Sequence, residues 1–146
     1  MDLISKVIRL WDIWLKIKFN LMKKLENRVA LLTGASSGIG AVIAKSLSNE
    51  GVEIIGIARS DEGLKKTKID IEANGGKFHS ISFDVSDISN LSQLKTKVEN
   101  LIGKIDILIN NAGIEEYNYF HNYTLEYIQK ITSVNLIAPM EITRQF

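Results

Sequence analysis

Apolar residues fall along this chain in two rhythms, short unbroken runs and longer stretches spaced for one face of a helix. Val29–Leu32, Val52–Ala58 (interrupted by Glu53 and Gly56), Phe78–Phe83 and Ile105–Ile109 are too short for buried helices and read as strands. Helix-period segments lie between them. The first starts at Ala41, with Val42, Ile43 and Leu47 as its apolar contacts, and ends at Gly51, a C′ glycine. Ser60 or Asp61 can cap a second, which stops near Asn74 at Gly75-Gly76. A third follows Ser86 or Asp87, with Leu91, Leu94, Val98 and Leu101 at helical spacing and Gly103 behind them. Strands separated by helices predict an α/β fold, a parallel, doubly wound sheet of about four strands with right-handed crossovers.

Residues 1–24 form a separate amphipathic piece ahead of the domain at 25–146. On a helix, Leu3, Ile4, Val7, Ile8, Leu10, Trp11, Trp14, Leu15, Ile17, Leu21 and Met22 share one broad face. Asp2, Ser5, Lys6, Arg9, Asp12, Lys16, Asn20, Lys23 and Lys24 fill the opposite arc, with Ile13 and Lys18 as intruders. Arg9, Asp12 and Lys16 interrupt any run that could span a bilayer, and the pattern is not that of a signal peptide. Two partners suit such a helix: a membrane surface on which it lies, or protein, either its own domain or a second copy in a homo-oligomer.

At 146 residues with 45% hydrophobic and 24% charged side chains, the composition is that of one ordinary globular domain. The net charge of +1 argues against nucleic acid as a partner. The lack of Cys excludes disulfides and thiolate metal sites and suits a reducing, cytoplasmic setting, peripheral on a membrane if the leader docks there. Two isolated His residues make no metal cluster, so no metal site is expected.

In doubly wound sheets ligands bind beyond the carboxyl ends of the strands, and the distinctive residues of this chain follow its strands. Thr33-Gly34-Ala35-Ser36-Ser37-Gly38-Ile39-Gly40 runs from a strand into a helix. Such a turn aims backbone N–H groups and the positive end of the helix dipole at one point, an anion site for a phosphate. A Walker phosphate loop needs a Lys after the last glycine, where Ala41 stands. Gly34-Ala-Ser36-Ser-Gly38 also spells the nucleophile elbow Gly-x-Ser-x-Gly, but only His79 and His121 are available to complete a triad. A dinucleotide loop fits best. The second strand ends in Ala58-Arg59, where an NAD protein would carry an acid for the ribose. A 2′-phosphate would meet a cation there, so NADP is expected ahead of NAD. Asp84 can accept from an adenine amino group, and Asn110 with the small pair Ala112-Gly113 lets backbone pass close to a cofactor.

Together these residues resemble the short-chain dehydrogenase/reductase family over about Arg28 to Phe146. The glycine loop is similar to that family's cofactor loop, Asp84-Val85 to its adenine contact, and Asn110-Asn111-Ala112-Gly113 to its second fingerprint. Asn135, in Ser-Val-Asn-Leu, falls at the family's catalytic Asn. The resemblance implies a Rossmann-type fold and hydride transfer between a nicotinamide dinucleotide and a small alcohol or carbonyl substrate. It assigns cofactor binding to Gly34, Ser36, Ser37, Gly38, Ile39, Gly40, Asp84, Val85, Asn111, Ala112 and Gly113, and Arg59 joins them through its place at the end of the second strand. The family's substrate Ser and Tyr-x-x-x-Lys belong some tens of residues after Asn135, beyond Phe146. Tyr119, Tyr123 and Tyr127 precede Asn135, and neither Tyr123 nor Tyr127 has a Lys four residues on. The chain is therefore read as a C-terminally incomplete, cofactor-binding half. The alternative is a catalytically inactive nucleotide-binding or membrane-associated module.

Pro139 stands four residues after Asn135 and has no N–H to offer that carbonyl. A kink at Asn135 is expected, or else a new helix that Pro139 opens.

Overall fold

The computed structural model describes residues 3–146, with the side chains of 7–17 and 25–146. It is α/β: β1 (Val29–Thr33), α2 (Gly38–Asn49), β2 (Glu53–Ala58), α3 (Asp61–Glu72), β3 (Phe78–Ser82), α4 (Leu91–Ile102), β4 (Ile107–Ile109), α5 (Leu125–Thr132) and α6 (Ala138–Gln145) follow an N-terminal α1 (Leu3–Leu25). The four strands are parallel in the order β3-β2-β1-β4, with Leu31 level with Ile55 and Leu108. Alternate side chains of each strand point to opposite faces, and both faces are covered. Ala30, Leu32, Ile54 and Phe78 pack with Ala44 of α2 and Leu64 and Ile71 of α3. Leu31, Ile55, Ile57 and Ile81 pack with Leu91, Leu94 and Val98 of α4 and Ala138 and Ile142 of α6. Double coverage explains why the strands read as continuous apolar runs. Gly56 interrupts β2 because the Phe78 ring occupies the space of its missing Cβ.

Some expectations shift in detail. Val42 is 63% exposed; α2 buries Gly40, Ala44 and Ser48, spaced four apart, with Ile43 and Leu47 flanking them. Leu101 is exposed, and Ile102, four after Val98, takes the inward place. The sequence before α4 forms a 3-10 turn over Ile88–Asn90, whose Asp87 carboxylate accepts from Ser89 Oγ and Asn90 Nδ2, each at 2.7 Å. The fourth strand is shorter than expected, and just ahead of it Asp106 sets its carboxylate on the Val29 N–H (2.9 Å) and Arg28 (2.6 Å) at the head of β1.

Between α5 and α6 lies a π turn, Ser133–Ile137, in which the Ala138 N–H donates to the Ser133 carbonyl five residues back. Thr132, Ser133, Ile137 and Ala138 all keep right-handed helical dihedrals. Asn135 thus lies inside a wider turn, and Pro139 stands in the first turn of α6, where its lack of an N–H costs little.

The leader is one helix, α1. Its described apolar side chains from Val7 to Ile17 are 47 to 66% exposed and are not buried on the sheet layers. The sequence assignments of Asp2 and of the side chains at 3–6 and 18–24 lie outside the described residues. Leu25 packs against the α2/α3 side of the core, and the Asn27 N–H donates to the Gly51 carbonyl (3.1 Å), so α1 joins the domain at the amino end of β1.

Candidate functional site

A cleft of about 780 Å³ opens beyond the carboxyl ends of the strands. Gly34, Ser36, Ser37, Ile39 and Gly40 line it from β1, Arg59 from β2, Asp84 and Val85 from β3, and Asn111, Ala112 and Gly113 from β4. Gly38 and Asn135 lie off this lining. Gly38, at φ +53°, makes the turn into α2.

Sterics and backbone geometry set the loop's composition. Gly34 has φ +73°, and a Cβ there would come within 2.7 Å of Asn111 Nδ2 and 3.0 Å of the Ala112 backbone. A Cβ on Gly40 would overlap the Gly34 carbonyl. Gly63, in α3, admits Ser36, whose Cβ and carbonyl oxygen would stand 2.9 Å from an added Cβ. Ser37 precedes α2 in extended conformation and makes no side-chain cap, whereas Ser60 caps α3 by accepting from the Gly63 N–H (3.0 Å). Ile39 and Gly40 of the first turn of α2 line the cleft, the helix has no side-chain cap, and its dipole favours an anion at this end. Arg59 is exposed at the rim, and no carboxylate pairs with it among the described residues. Asp84 is fixed by its Oδ1, which accepts from the Ser86 N–H (2.9 Å) and Oγ (2.8 Å).

Two residues outside the expected set hold the loops. Thr33, 2% exposed, accepts from the N–H groups of Asn111 and Ala112, both at 3.0 Å. Thr67, 3% exposed, donates to the Ala35 carbonyl (3.1 Å) from inside α3. A signal exists for each: a polar residue closing an apolar strand, and a hydroxyl at core spacing between Leu64 and Ile71. Ile57, Ser60, Phe83, Ile114 and Val134 also line the cleft and carry no motif. Asn110 turns away and donates to Thr143 Oγ1 (3.0 Å) on α6. Asn135 donates to the Ile114 carbonyl (2.8 Å) and accepts from the Ile114 N–H (2.9 Å), so its side chain clamps the strand-4 loop against the π turn.

The residues present fit a nucleotide: a cleft of suitable size, a glycine cradle, an open helix terminus and a cation at one end. No group of three or more His, Cys, Asp or Glu suited to a metal occurs among the described residues.

Comparison with known proteins agrees with this geometry. A family model described as short chain dehydrogenase matches residues 28–146. The ketoacyl reductase HetN of Nostoc sp. is 46% identical over 123 residues, which cover 84% of this chain and 43% of that protein. A metagenomic short-chain oxidoreductase solved in complex with NADP superposes with a TM-score of 0.79 at 34% identity, covering 83% of this chain and 55% of the other. L-sorbose reductase of Gluconobacter frateurii, solved with NADPH and L-sorbose, gives 0.78 at 27% identity, over 83% and 46%. The chain thus spans about half the length of the proteins it matches.

Proposed function

This chain belongs to the short chain dehydrogenase family, and on that premise we propose that it is the cofactor-binding half of an NADP-dependent oxidoreductase acting on an alcohol or carbonyl compound. The observation that carries the reading is the convergence of the uncapped α2 terminus, the glycine cradle and Arg59 on one cleft. The first turn of α2 and Ser36 receive a pyrophosphate, Arg59 the 2′-phosphate, Asp84 and Val85 the adenine, and Ala112-Gly113 allow the cofactor to lie against bare backbone. When bound, the dinucleotide supplies hydride chemistry. Asn135 acts at the site by fixing Ile114 beside the cofactor. The NADP and NADPH complexes of structural neighbours support this cofactor, and matches to reductases along the whole domain favour an enzyme over an inactive module.

The leader α1 is a docking segment, for a membrane surface or for a second copy of the chain. Among the described residues no helix is long and apolar enough to cross a membrane.

Calorimetric titration of the purified chain with NADPH and NADH tests the nucleotide reading. Saturable binding that favours NADPH at least ~10-fold, the effect of about 1.4 kcal/mol from one charged contact, is the expected result. Failure to bind either dinucleotide overturns it.

A further inference from the structure

We propose that α1 is a membrane-interface anchor that lies flat on a bilayer carrying anionic lipid headgroups. Stepping about 100° per residue, Val7, Ile8, Leu10, Trp11, Trp14, Leu15 and Ile17 fall within half the circumference, and Arg9, Asp12 and Lys16 share the opposite side. All of these apolar side chains are exposed, Leu10 and Trp11 by 66% and 61%. A two-stranded helix pair needs a narrow seam of two positions in seven. This face is far broader, and it carries both tryptophans of the protein, with ring centroids 5.8 Å apart. Indole rings suit the headgroup boundary, which is apolar on one side and wet on the other. The charge is complementary to anionic lipid: Lys6, Arg9, Lys16, Lys18, Lys23 and Lys24 outnumber Asp2 and Asp12.

The position of the helix suits an anchor. It enters the domain at the amino end of β1, whereas the cleft opens beyond the carboxyl end. The five residues of β1 separate the point where α1 joins the domain from the cleft by about 16 Å. This inference is independent of the nucleotide reading, and lipid binding can fail or succeed whatever NADPH does.

The test uses the whole chain with vesicles of phosphatidylglycerol or of phosphatidylcholine. Trp11 and Trp14 emission should shift to the blue with phosphatidylglycerol, much less with phosphatidylcholine, and added salt should reverse part of the shift. Brominated lipid should quench the same emission in the unaltered protein. Arg9→Gln and Lys16→Gln should each lower the vesicle partition coefficient about fivefold, while NADPH affinity stays the same with and without vesicles. Unchanged emission and no quenching with either lipid would overturn the proposal. So would emission that is already blue without lipid and varies with protein concentration, the signature of α1 packing on a second copy.

Discussion

Thr33 and Asn111 hold each other at both ends: Thr33 Oγ1 accepts from the Asn111 backbone N–H at 3.0 Å, and Asn111 Nδ2 donates to the Thr33 carbonyl, also at 3.0 Å. One side chain from β1 and one from the loop after β4 thus lock two cleft walls whose parent strands are adjacent in the sheet. Replacing Thr33 with Val keeps the shape but leaves the Asn111 and Ala112 N–H groups without their acceptor. The expected cost is about 1–3 kcal/mol of stability, read by urea unfolding, with weaker NADPH binding. Thr33→Ser, which keeps the oxygen, should recover most of both.

Arg59 separates the two dinucleotides. Arg59→Ala should weaken NADPH binding by about 1.5–3 kcal/mol, the scale of a hydrogen bond to a charged group, and leave NADH nearly unchanged. Equal losses for both would show that the guanidinium does not meet the 2′-phosphate.

Asp106 makes the head of the sheet sensitive to acid. The Val29 N–H and then Arg28 hold its carboxyl below the usual carboxylate value. A carboxyl depressed in the folded state contributes stability above its unfolded pKa of about 3.9 and loses it as the pH falls through the folded value. The melting temperature should therefore drop below about pH 4, and Asp106→Asn should flatten that part of the profile. An unaltered acid limb in the variant would assign the effect to other carboxylates, such as Glu141, which Arg144 and Gln145 hold at about 2.

Asn135 serves Ile114 with both ends of its amide. Asn135→Asp keeps the acceptor for the Ile114 N–H but sets a carboxylate against the Ile114 carbonyl. It should destabilise by about 1 kcal/mol or more and loosen NADPH binding, whereas Asn135→Gln should fail to restore either. Retained affinity in Asn135→Asp would show that the clamp does not shape the cleft.

The chain as it stands should bind nucleotide without turning over. Its sequence contains no Tyr-x-x-x-Lys, and general acid catalysis contributes about 10²–10⁴-fold. Carbonyl-dependent NADPH oxidation by the purified 146 residues would refute this.

The alternation of strands and helices was legible because each strand is buried on both faces, which writes an unbroken apolar run, and because glycines mark where the helices stop. The loop Thr33–Gly40, Arg59, Asp84 and Asn111–Gly113 were legible because each follows such a run directly. Periodicity could not say which side of a helix turns inward. Val42 and Leu101 fit an apolar stripe as well as Ala44 and Ile102 do, and only packing against the sheet chose between them. The sequence alone also left open what Pro139 does, since a lost N–H can break a helix or be absorbed. In the fold Asn135 lies in a π turn and Pro139 in the first turn of α6, which packs against α4. Pairings across long separations, Thr33 with Asn111 and Asn135 with Ile114, are decided by which strands become neighbours. Sequence determined that these polar residues stand at strand ends; tertiary structure decided whom they meet, because hydrogen bonds form between groups that the sheet order brings within about 3 Å.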